Sequence, residues 1–73
     1  MKREPAKPKD IASAFKMLIP WNQYHIEMER WDGEWSVSII RAQIDGCLIG
    51  SGRSDHLHEA IHKAIMQARE AIK

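Results

Sequence analysis

Apolar and polar residues alternate from Tyr24 to Ile39, and Asp32-Gly33 interrupts the alternation at its middle. Alternation is the period of a half-buried strand. Asp-Gly between two such runs marks a type I′ hairpin, whose central residues both need φ > 0. A turn there fixes the register. On one face Arg30 falls opposite Trp35, Met28 opposite Val37, Ile26 opposite Ile39 and Tyr24 opposite Arg41. The other face pairs Trp31 with Glu34, Glu29 with Ser36, Glu27 with Ser38 and His25 with Ile40. A slip of one residue would bury Glu27 and Glu29, so the register is strongly specified.

Beyond Ile39 the parity breaks, because Ile40, Ala42 and Ile44 fall on the opposite side. A β-bulge near Ile40-Arg41 in the second strand would return Ala42 and Ile44 to the core. A regular strand would instead carry an outer apolar patch of Ile40, Ala42 and Ile49, suited to a partner. The bulge is favoured. Asp45-Gly46 gives a second hairpin signal, with a short third strand from Cys47 to about Gly50. Gly50 to Ser54 reads as a flexible turn, with Ser54 as N-cap of the last helix and Asp55 placed well against its dipole.

From Leu57 the period becomes helical. Leu57, Ala60, Ile61, Ala64, Ile65, Ala68, Ala71 and Ile72 fall on one stripe, and its alanines let the helix approach the sheet closely. Glu59 and Lys63 stand four apart in the favourable order. Upstream, Asp10 caps a short helix over Ile11 to Ile19, with Ile11, Phe15 and Leu18 on one face and Ala14 beside them; Pro20 ends it. Trp21 reads as a core anchor at the end of the sheet. The expected fold is α+β in the order α-β-β-β-α: a three-stranded antiparallel meander with a long C-terminal helix packed on one face. Residues 1–9 read as a disordered basic arm and 10–73 as one domain.

Composition narrows the function classes. Seventy-three residues are close to the lower limit for a core without staples. A formal net charge of +1 gives no global pull toward nucleic acid. The single cysteine, Cys47, excludes an intramolecular disulfide and fits a reducing cytoplasm. It reads as a small buried hydrophobe rather than a nucleophile. No apolar run is long enough to span a membrane, and no apolar segment follows the basic N-terminal residues as a secretory signal requires.

His58-Glu59-Ala60-Ile61-His62 spells the zinc-protease motif H-E-x-x-H, in which two histidines share a metal and the glutamate activates water. The context does not support it. No histidine follows His62 as third ligand, Ala68 stands where some zinc proteases place one, and Glu59 points away from the two histidines. No histidine-carboxylate arrangement beside Ser51 or Ser54 suggests nucleophilic catalysis, and Gly50 and Gly52 lack the lysine and remaining glycines of a phosphate loop. No catalytic residue, resident metal or cofactor is expected.

Two family resemblances follow from these motifs. From Asp32 to Ile72 the chain resembles the small HicB-type antitoxin domain, through Gly46-Cys47, Gly50 and Glu59-Ala60-Ile61. It departs by carrying Ile44-Asp45 where that family commonly has Leu-Pro. The α-β-β-β-α order, with Gly50-x-Gly52-x-Ser54 before the last helix, is similar to a double-stranded-RNA-binding domain. That family places a lysine cluster after the serine; here stand Asp55, His56 and, further on, Glu59, and acids there oppose phosphate binding.

The expected function is a non-catalytic interaction module that binds and occludes a macromolecular partner, inhibitor-like or antitoxin-like, of phage or mobile-element kind. The first resemblance implies a nuclease-like protein as that partner. Ile40, Ala42, Ile49 and Arg53 are the candidate contact residues, with homodimerisation through the third strand. The alternative is a nucleic-acid-binding module that uses Lys2, Arg3, Lys7, Lys9, Arg53, Lys63 and Arg69.

Overall fold

The computed structural model describes residues 7–41 and 46–72. Helix α1 spans Ile11–Met17, followed by a 3-10 turn at Ile19–Trp21; strands β1 (His25–Trp31), β2 (Glu34–Arg41) and β3 (Cys47–Ser54) come next, then helix α2 (Leu57–Ala71). The strands form one antiparallel sheet in the order β1-β2-β3. This is the expected α+β architecture.

The β1–β2 register matches the alternation residue for residue from His25↔Ile40 to Trp31↔Glu34. Tyr24, expected opposite Arg41, precedes the paired stretch. Asp32 (φ 54°) and Gly33 (φ 81°) are both left-handed, as a type I′ turn demands. The guanidinium of Arg30 lies 5.6 Å from the Trp35 ring centroid, which adds a cation–π contact across the hairpin.

The bulge exists, but the extra residue sits on β3. Ile39 pairs with Gly50 and Ile40 with Leu48, so Ile49 is the unopposed residue. Two consecutive residues, Ile49 and Gly50, thereby turn to the core, while Leu48 faces outward. Ala42 and Ile44 lie outside the described residues, as does most of the expected turn at Asp45-Gly46. Gly46 itself has φ 68°, and its N–H donates to the Arg41 carbonyl at 3.1 Å.

β3 is twice as long as expected, because Gly50 to Ser54 is strand rather than a flexible turn. The glycines serve close packing. A Cβ on Gly50 would collide with the Ala64 carbonyl and stand 2.8 Å from the Ala68 nitrogen; one on Gly52 would collide with the Ala60 carbonyl and stand 2.7 Å from the Ala64 nitrogen. Helix α2 thus lies directly on the β3 backbone through Ala60, Ala64 and Ala68, all fully buried.

The remaining core is Val37, Ile39 and Ile49 from the sheet, Ile61 and Ile65 from α2, and Ala14, Leu18 and Trp21 from the N-terminal segment. Helix α1 lies against α2, and Ala14 and its C-cap Leu18 are the residues buried there. Its buried face is therefore turned from the expected Ile11-Phe15-Leu18 stripe, and Ile11 and Phe15 are exposed. The helix also ends two residues earlier than expected, where Pro20 enters the 3-10 turn. The α2 stripe holds from Ala60 to Ala68, but Ala71 and Ile72 are exposed.

Both helix starts show their chemistry. Asp10 caps α1 by accepting the Ser13 N–H at 2.8 Å, and that bond holds its carboxyl below the usual range. At α2 the N-cap is His56, not Ser54, and it makes no side-chain cap bond. Ser54 closes the turn from two residues further back: its hydroxyl accepts the His56 N–H at 3.2 Å and donates to Glu59 at 3.0 Å. The chain already touches the domain before α1, since Pro8 is buried and Lys7 lies 3.8 Å from Glu59.

Candidate functional site

The contact set chosen from sequence does not assemble. Ile40 and Arg53 lie on the open face of the sheet, separated by the Ser38–Ser51 pair on that face. Ile49 is buried on the opposite face by the bulge, and Ala42 falls outside the described residues. The open face is chiefly polar, with Glu27, Glu29, Ser36 and Ser38 in its centre. Arg53 bridges Glu34 at 3.1 Å, and His25 lies 3.1 Å from Glu27. Trp31 (75% exposed) and Leu48 stand at its margins.

Nor does the basic set form one patch. Lys7 meets Glu59, Arg53 meets Glu34, and Lys63 Nζ donates to the Arg53 carbonyl at 3.0 Å. Arg69 lies at the other end of α2 from Lys7, and Lys9 stands beside α1. Lys2 and Arg3 lie outside the described residues.

The H-E-x-x-H motif is also occupied otherwise. The Glu59 carboxylate takes the Ser54 hydroxyl and faces Lys7, so the expected Glu59–Lys63 pair does not form. The Ser54 bond holds Glu59 below the ordinary carboxylate range, with the charges of Lys7, His56 and His58 adding to the effect. The His56 and His58 rings lie 5.5 Å apart, centroid to centroid. Among the described residues, no three His, Cys, Asp or Glu side chains come together as a metal site. Cys47 is exposed rather than buried, with its Sγ 3.7 Å from the Leu48 carbonyl.

A different concave surface is present. Between the 3-10 turn and the C-terminal half of α2 runs an open, mainly apolar groove of about 520 Å³. Its N-terminal wall is Met17, Pro20 and Trp21, and Tyr24 forms its end toward β1. Helix α2 supplies the other wall through Ile65 and Arg69, with Ile72 just beyond. The local backbone fixes this geometry. The Trp21 N–H donates to the Leu18 carbonyl at 2.9 Å and the Tyr24 N–H to the Trp21 carbonyl at 3.0 Å, which sets the two rings 5.4 Å apart. Ile19 (64% exposed) on the 3-10 turn and Ile72 (48% exposed) leave further apolar area at the surface.

Sequence reasoning placed Trp21 in the core, where it is, but did not find the groove. The signal was apolar residues at segment ends: Met17 and Ile19, which no stripe required, and Ile72, the last residue of the α2 stripe, left exposed beyond the sheet.

Fold and groove together describe a small α+β domain with an apolar concavity and a mixed-charge surface. No protein-family model matches the chain, and no curated protein or solved structure matches it. Among the described residues, no helix is long and apolar enough to cross a membrane.

Proposed function

We propose that this protein is a non-catalytic binding module that occludes a partner protein, and that the groove between the 3-10 turn and α2 is its contact surface. The observation that carries this reading is the groove itself. Its volume lies in the range of binding pockets, its walls are apolar and aromatic, and Arg69 gives it one orienting charge. Aromatic and arginine side chains around a desolvated centre are the usual anchors of protein interfaces. An inhibitor of a nuclease-like protein is the role that the antitoxin resemblance implies. The nucleic-acid alternative is weaker on physical grounds. Lys7 and Arg53 each face a carboxylate, and Asp55 and Glu59 stand at the start of α2, where phosphate would have to approach.

The test immobilises the wild type and an Ile19→Glu, Ile72→Glu double variant, both altered at exposed positions, and offers each the lysate of the source cell. A protein retained by the wild type, lost by the variant and re-bound when purified supports the reading. Salt-sensitive binding of duplex RNA or DNA that survives in the variant, with no such protein, overturns it.

A further inference from the structure

The two edges of the sheet are finished differently. In an antiparallel strand every second residue turns its backbone N–H and C=O away from its partner. On the C-terminal half of β3 two of those groups are taken up by α2: the Ser51 N–H donates to Gln67 Oε1 at 2.9 Å, and the Arg53 carbonyl accepts Lys63 Nζ. Self-pairing along this half of β3 is therefore opposed by its own helix. On β1, Trp31 and Glu34 flank the two-residue turn, so Trp31, Glu29, Glu27 and His25 exchange their bonds with β2. Arg30, Met28 and Ile26 then direct theirs outward. Among the described residues, no helix or other strand lies against that edge. Ile26 and Met28 are only half-buried on its inner face.

We propose that β1 pairs with β1 of a second copy of this chain, antiparallel about a two-fold axis through Ile26, to give one six-stranded sheet. The charge pattern selects both the occupant and the register. Opposed residues must share a face. Registers centred on Glu27, Met28 or Glu29 set glutamate against glutamate on the open face, which is destabilising. Centred on Ile26, the strand is self-complementary. His25 of each copy opposes Glu27 of the other, Tyr24 opposes Met28, and Ile26 opposes Ile26. The half-buried strip of both copies then becomes the middle of a continuous apolar layer. A domain this small gains from that burial, and an isologous contact closes at two copies. This inference does not rest on the groove as a partner site; either can fail alone.

Sedimentation of the full chain from low micromolar to near-millimolar concentration, combined with amide hydrogen exchange, tests it. A monomer–dimer equilibrium is expected in which the Ile26 and Met28 amides gain protection as the dimer forms. Glu27→Lys, on the open face, keeps the circular dichroism of the fold and weakens association on the order of tenfold or more. His25→Glu combined with Glu27→Lys restores it. A monomer throughout, a Glu27→Lys variant that dimerises as the wild type does, or a dimer without new protection at Ile26 and Met28 overturns the proposal.

Discussion

Ile26 and Ile39 face each other across the same row of the same sheet, yet Ile39 is fully buried and Ile26 only half. The difference originates two strands away. Gly50 and Gly52 offer α2 a bare backbone, and Ala60, Ala64 and Ala68 let it settle there. A helix seated that close to β3 covers β3 and part of β2 and stops short of β1. Small residues thus decide more than local density. By choosing where the helix lies, they choose which apolar residues stay at the surface, and the β1 strip and the groove at Tyr24 are the result. One half of the sheet carries the stability, and the other keeps apolar side chains at the surface.

The strongest way to break this contrast is to put a methyl group in the seam. Gly52→Ala places a Cβ against the backbone of Ala60 and Ala64, which cannot yield as a flexible side chain would. The helix must lift along its length, and we expect a loss of about 3 kcal/mol in urea denaturation. A loss below about 1 kcal/mol would show that α2 slides freely on β3, and the contrast would lose its cause.

The second test uses the facing pair. Ile39→Ala leaves a cavity in a closed environment and should cost about 3 kcal/mol, whereas Ile26→Ala removes a side chain already in partial contact with water and should cost about 1 kcal/mol. Both are measured at low micromolar concentration, to keep self-association out of the comparison. Equal losses would mean that β1 is covered as well as β2 is.

What could be read beforehand follows the same division. The hairpin register was legible because alternation and Asp32-Gly33 are local signals, each sufficient to fix the parity of seven residue pairs. The parity break at Ile40 pointed to a bulge in β2, but β2 stays regular and keeps Ile40 on the open face; the extra residue is Ile49 on β3, where Leu48-Ile49-Gly50 offers no alternation whose break could be read. Gly50-Ser-Gly52 read as a loop because glycine signals freedom to a local reading. Its function as a seat for Ala60 and Ala64 is visible only when the helix is laid upon it. The buried face of α1 was misjudged for a similar reason: its neighbour is α2, where Ala14 fits and Phe15 does not. The groove was least legible, since Met17, Tyr24, Ile65 and Ile72 are brought together by tertiary structure alone.

The smallest expected effect lies at the corner where β3 hands over to α2. There the Glu59 carboxylate takes the Ser54 hydroxyl and faces Lys7, so it joins the end of the strand, the first turn of the helix and the N-terminal segment. Its pKa in the folded chain lies below the ordinary 4.5, chiefly through the Ser54 bond. A depressed carboxylate contributes stability above its unfolded pKa, and that contribution disappears as pH falls through the lower, folded value. Glu59→Gln keeps an acceptor for Ser54 but removes the charge. Asp10, also depressed, is present in both proteins and cancels from the comparison. The wild type should therefore melt slightly higher than the variant above pH 4.5, and the two melting temperatures should converge as acid is added below it. A gap that stays constant from neutral to acid pH would show that the geometry at Ser54, rather than the charge on Glu59, holds this corner together.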